Sequence, residues 1–132
     1  MSECVVDASA LVLALSGKSH GASALRARLA TTRTHAPHLI DAEVGNVLRR
    51  HEREQRLHPD EARLALSASG VLIDHRHAHV GPLAELAWGL RNNFTFCDAL
   101  YVALATSLGL PLLTADIRLS RAPAVPCAIE TV

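Results

Sequence analysis

Short apolar runs that stop at an aspartate, separated by segments of helical period, constrain this chain more than any other feature. Cys4-Val5-Val6 ends at Asp7, and Leu112-Leu113-Thr114 leads to Ala115-Asp116. A strand that is apolar without alternation is buried on both faces, as in a parallel sheet covered by helices on each side. Between such runs apolar residues recur every three or four positions, the period of an amphipathic helix. Helices are expected over 8–15, 21–30, 38–56, 59–69, 80–91 and 97–108, and strands over 4–6, 34–36, 71–73, 112–114 and 127–131. Pro59 opens the fourth helix and Gly70 closes it, while Gly109 closes the last. The alternation predicts an α/β fold: a three-layer α/β/α sandwich with a mostly parallel central sheet.

At 132 residues the chain is read as a single domain over 1–132. Apolar residues at 49% and charged ones at 20% describe a globular chain rather than a disordered one. Aromatics are only 3%, so the core is built from Ala, Val and Leu, and a surface of stacked aromatics for nucleic acid is disfavoured. Thirteen cations balance thirteen anions, which removes an overall basic footprint but leaves a local one open. Cys4, Cys97 and Cys127 are widely spaced and odd in number, with no C-x-x-C pair. They indicate neither a disulfide framework nor a cysteine zinc site, and free thiols fit a reducing compartment. No apolar run reaches the ~18 residues of a membrane span. Glu3 and Asp7 stand where a signal peptide would be basic, so a cytoplasmic location without membrane association is expected.

The carboxylates carry the chemistry. Open parallel sheets bind ligands beyond the carboxyl ends of their strands. Asp7 and Asp116 stand at two such ends, and Asp98 lies just inside the start of the helix over 97–108. Each aspartate alone also reads as a helix N-cap. Glu43 follows Ile40 by three residues and precedes Val47 by four, on the apolar face of its helix. A carboxylate there is costly unless paired or metal-bound. The plainer reading is an ion pair with Arg50 or with an arginine elsewhere. Asn46 and Arg50 follow at i+3 and i+7 and are expected on the same rim. Four converging carboxylates would form a hard oxygen site suited to Mg²⁺ or Mn²⁺. The chemistry of such a site is metal-assisted phosphodiester hydrolysis.

Four motifs, in order, resemble the PIN-domain family, and specifically the VapC-like ribonuclease toxins of bacterial toxin–antitoxin pairs. They are Val6-Asp7-Ala8-Ser9-Ala10, Glu43-Val44-Gly45-Asn46-Val47-Leu48-Arg49, Cys97-Asp98-Ala99-Leu100-Tyr101-Val102-Ala103-Leu104-Ala105, and Leu113-Thr114-Ala115-Asp116 with Arg118-Leu119. The resemblance covers nearly the whole chain, and the length suits a stand-alone toxin. It implies a Mg²⁺- or Mn²⁺-dependent endoribonuclease. Asp7 and Asp116 would be direct metal ligands, and Asp98 a ligand directly or through water. Glu43 would hold the attacking water or complete the shell. Ser9 and Thr114 match small hydroxyl positions near the site. The resemblance also implies a homodimer, an RNA substrate, and a VapB-like antitoxin whose C-terminal segment covers the cleft.

Other signals admit two readings. Arg49, Arg50, Arg53 and Arg56, with Arg26, Arg28 and Arg33 earlier, form either a phosphate-contacting stripe or a solvated face paired with Glu52 and Glu54. His75, His77 and His79 invite a transition-metal reading, but no fourth ligand is evident, and most of the histidines are expected at the surface. Trp88 and Tyr101 are expected as core or dimer anchors. Cys97, with no nameable base, is not a nucleophile candidate. The competing functions are a phosphotransfer domain with an Asp nucleophile, which needs a second Asp close after Asp7, and a catalytically inactive PIN-like RNA- or partner-binding module.

Overall fold

The structure is a computed structural model that describes residues 2–132. The strands are β1 (Glu3–Val6), β2 (Arg33–Pro37), β3 (His75–His77), β4 (Leu112–Thr114) and β5 (Ile129–Thr131). The helices are α1 (Ala8–Ser16), α2 (His20–Ala30), α3 (Leu39–Arg53), α4 (Pro59–Leu72), α5 (Pro82–Trp88), α6 (Phe96–Leu108) and α7 (Ile117–Ser120). The sheet runs β3-β2-β1-β4-β5, and every neighbouring pair is parallel. The expected sandwich is present, with a wholly parallel sheet.

This strand order positions the site. Two connections step outward from β1 to β2 to β3, and the next returns past β1 to β4. Right-handed crossovers put the helices of opposite steps on opposite faces. Accordingly α1 packs with α2, α3 and α4, while α5 packs with α6, and α6 lies on β1, β2 and β4. The reversal leaves a crevice at the carboxyl ends of β1 and β4, where such sheets take ligands. Val5, Val6, Leu112 and Leu113 beneath it are fully buried. α6 is buried from Ala99 through Ala105, as a helix apolar all round must be.

One expected strand is absent. Residues 71–73 do not form it: Val71 and Leu72 complete α4, and Val71 is 79% exposed. Gly70 reads as a stop, but an interior glycine only weakens a helix. The strand begins at His75 and is polar. It is held by side chains rather than by apolar burial. Asp74 Oδ2 accepts from the Thr34 backbone N–H at 2.9 Å, and Arg76 makes a two-pronged pair with Asp41 at 2.7 and 2.9 Å. Elsewhere the bounds shift by a few residues. The third helix stops at Arg53 instead of 56, and the fifth covers 82–88 instead of 80–91.

Candidate active site

Asp7 follows the last residue of β1 and caps α1, its Oδ1 accepting the Ala10 N–H at 3.0 Å. The same carboxylate accepts from Ser9 Oγ at 2.6 Å and from Thr114 Oγ1 at 2.5 Å. Both hydroxyls also accept backbone N–H bonds, Ser9 from Ala115 across the crevice and Thr114 from Asp116 two residues on. The ends of β1 and β4 are thereby stitched together through one carboxylate. Capping and site readings of Asp7 are therefore compatible: one oxygen caps while the group as a whole faces the crevice. Burial pushes the Asp7 carboxyl above its ordinary range, more than its three hydrogen bonds lower it.

Asp116 caps the short α7 through the Arg118 N–H and is gripped by the Arg118 guanidinium at 2.7 and 3.1 Å. That cation holds its carboxyl below the usual range. Asp98 lies in the first turn of α6, which Thr95 caps by accepting the Asp98 N–H. Burial, and then the charge of Asp116, pushes Asp98 up.

Glu43 projects from α3, half-buried. Its partner is not Arg50, as the ion-pair reading had it, but Tyr101, whose hydroxyl donates to Oε1 at 2.5 Å. Tyr101 sits one turn beyond Asp98 on α6 and is 2% exposed, so a core residue also touches the site. Its apolar surroundings left the hydroxyl as the only signal for this role: a buried phenol needs a partner. Burial, and then the charges of Asp98 and Asp7, pushes Glu43 upward.

All four carboxylates line one cleft of about 470 Å³. Ser9, Arg50, His51, Arg56 and Tyr101 line it too, with an apolar stretch that includes Val12, Leu13, Val47 and Leu57. Asn46 does not join them. It lies in a neighbouring groove with Arg49, Arg50 and Arg53: at about 3.6 residues per turn i+3 sits about 60° around α3 from Glu43, whereas Arg50 at i+7 returns to within about 20° and lines both. The donor set of carboxylates and hydroxyls is the hard oxygen chemistry that Mg²⁺ or Mn²⁺ takes. Three carboxyls raised by burial and by one another are what a divalent cation would relieve. As placed, no three His, Cys, Asp or Glu side chains among the described residues stand in ligating geometry. Asp116 is instead engaged by Arg118, a partner that the sequence reading did not assign.

Of the two places expected for Trp88, core or dimer contact, the core is excluded: it is 59% exposed, with Phe96 at its edge and the Arg91 guanidinium 4.8 Å from its ring centre. Most of the histidines are at least partly exposed, as expected, and His35 is the exception. His35 is buried, its Nδ1 2.9 Å from His77 Nε2 and its Nε2 2.7 Å from Glu3, with His75 stacked on its ring. His79 serves elsewhere, Nδ1 accepting the Leu39 N–H at the start of α3.

A parallel sheet of this order with an acid-lined crevice at its point of reversal defines a class, and sequence comparison names it. The PIN domain family model matches residues 4–125. The chain belongs to the PIN-domain family and, within it, to the VapC-like toxins. Ribonuclease VapC1 of Mycobacterium tuberculosis (strain ATCC 25618 / H37Rv) is 53% identical over 132 residues, covering 100% of this chain and 99% of that protein. Ribonuclease VapC9 of the same strain is 41% identical over 128 residues, 97% of each chain. In fold, the chain matches a crystal structure of VapBC2 from Rickettsia felis bound to a DNA fragment from their promoter. The TM-score is 0.70 at 12% identity, over 98% of both chains.

Proposed function

We propose that this chain is a Mg²⁺- or Mn²⁺-dependent endoribonuclease, the toxin of a VapBC-type toxin–antitoxin module in the cytoplasm. The observation that carries the reading is the meeting of Asp7, Glu43, Asp98 and Asp116, from separate parts of the chain, in one cleft. The 53% and 41% identity to proteins named ribonucleases supports it.

Asp7, Asp98 and Asp116 would hold the cation, with Glu43 completing the shell or holding the water. The bound cation would lower the pKa of a water and stabilise charge on the scissile phosphate. The chain's own residues do the rest. Ser9, Thr114 and Ala10 fix the Asp7 carboxylate before any ligand arrives, so no orientation is lost at binding. Tyr101 occupies Oε1 of Glu43 and leaves Oε2 free to accept a water proton. A VapB-like antitoxin segment would cover the same cleft along Val12, Leu13, Val47 and Leu57. A homodimer is proposed through the exposed Leu86, Trp88 and Phe96.

The decisive experiment incubates purified, antitoxin-free protein with total cellular RNA in Mg²⁺ or Mn²⁺ against EDTA, beside Asp98→Asn. Cuts that need metal and vanish in the variant are expected. One observation favours the second reading, an inactive binding module: Arg118 already neutralises Asp116. Silence of the wild type with both metals would select it.

A further inference from the structure

Six arginines lie within 4.0 Å of a carboxylate: Arg28, Arg33, Arg56, Arg63, Arg76 and Arg118. Among the described residues the other six have no such partner; Arg26, Arg91 and Arg121 are scattered in sequence, while Arg49, Arg50 and Arg53 fall together, exposed, on α3. Of the face pairing expected with Glu52 and Glu54, only Arg56 with Glu54 is formed, at 3.9 Å. With Asn46 and Glu54 the three arginines line a groove of about 490 Å³. Arg50 lines both this groove and the acid cleft, so the two are continuous through one side chain. Favourable interaction with the helix dipole accounts for cations in the last turn, Arg50 and Arg53, but Arg49 lies outside it. The positive field reaches into the cleft, where Arg56 and Arg50 reinforce the effect of burial in lowering the pKa of His51.

We infer that this arginine track is the path of the RNA backbone away from the cleft. Arg50 takes the phosphate next to the scissile one, and Arg49 and Arg53 take those beyond it. The inference rests on the ribonuclease reading and deepens it. Four carboxylates would repel a polyanion, and a strip of three arginines against one glutamate, on the helix that carries Glu43, offsets that repulsion where the strand must pass. Guanidinium groups bind phosphate oxygens two at a time, which lysine cannot do. From Asn46 to Arg53 the helix rises about 10 Å, room for successive phosphates rather than one. Such contacts position the strand without choosing its sequence. The track therefore sets affinity, and sequence choice lies elsewhere.

The test measures binding of a short unstructured single-stranded RNA by fluorescence anisotropy across a series of KCl concentrations. It uses the Asp98→Asn background, where the RNA stays intact. Arg49→Ala/Arg50→Ala/Arg53→Ala should weaken binding about 10- to 100-fold and reduce the slope of log K against log[salt] by about 2, as expected for three lost phosphate contacts. Lysine at the same three positions should restore the slope. Arg63→Ala/Arg121→Ala, which removes two exposed arginines that line neither the groove nor the cleft, should change neither. Circular dichroism confirms that each variant is folded. Equal losses in the control pair, or an unchanged slope in the triple variant while the wild type cuts RNA, would overturn the inference and leave the ribonuclease reading standing. Loss of binding to an acidic peptide, with RNA binding intact, would overturn it in favour of a protein partner. A wild type that neither binds nor cuts RNA brings down both readings.

Discussion

Asp7 is a carboxylate in a place that favours a neutral side chain. It is 8% exposed, and burial raises its pKa. An acid whose folded pKa is raised adds stability at low pH, and that stability is lost as pH rises through the folded value. Asp7→Asn should therefore raise the melting temperature of the metal-free protein at neutral pH by about 3–5 °C, the shift that about 1 kcal/mol gives a chain of this size. The gain should vanish in acid, where the wild-type group is also neutral. RNA cleavage should fall at least about 100-fold, the usual exchange between stability and function at such sites. Calorimetry across pH checks the first part, and a destabilised variant at neutral pH would refute it. Arg118 makes a second prediction. It is 85% exposed and competes for Asp116 with any cation. Arg118→Ala should tighten Mn²⁺ binding only a few-fold, because solvent screens so exposed a pair. Titration calorimetry reads this without reference to activity, and unchanged or weaker binding would show that the pair does not compete. At this scale the sequence marked all four acids, because position at a strand end or on an apolar face is a local property. It missed Tyr101 and Arg118, because a partner on another element, or a side chain folding back two residues, is a matter of three-dimensional placement.

α4 and β3 show how an element can be misplaced while its neighbours are found. Gly70 reads as a helix stop, yet it lies inside α4 with nothing within 4 Å of the position a Cβ would take. Gly70→Ala should stabilise the protein by about 0.5–1 kcal/mol, since alanine loses less freedom in a helix interior. Denaturant unfolding measures it, and a loss of stability would restore the strand expected at 71–73. The apolar run was misleading because Val71 is exposed while Ile73 is buried, a split that helical geometry allows and a buried strand does not. β3 itself carries no apolar signal. Its place at the sheet edge depends on Asp74 with Thr34, Arg76 with Asp41, and the contact of His77 with His35, all of them partners far along the chain. The strands that bury both faces, β1 and β4, were legible for the opposite reason: their environment is uniform enough to appear in composition.

Across the whole molecule most of the exposed large apolar residues fall in two groups, one of them Leu64, Leu66 and Val71 on α4 and the other where α5 meets α6. Trp88 at 59%, Leu86 at 53% and Phe96 at 40% belong to α5 and the start of α6. Two of them are aromatic in a chain where aromatics are only 3% of residues. If a second copy covers them, Trp88→Glu should convert a dimer to a monomer in analytical ultracentrifugation, because a charge at the centre of an apolar contact cannot be desolvated cheaply. A dimer that survives the substitution places the interface elsewhere. The sequence by itself determined the class of fold and the four acids, because parallel-sheet burial and helix period are written in short-range patterns of apolar residues. Only the tertiary structure decided which acids share a cleft, that Glu43 answers to Tyr101 rather than Arg50, and that Arg49, Arg50 and Arg53 are left without carboxylate partners among the described residues. Those are consequences of a strand order that turns back at β1, bringing together residues more than a hundred positions apart, such as Asp7 and Thr114. Local periodicity carries no information about which strands become neighbours, and the chemistry of this cleft depends on that choice.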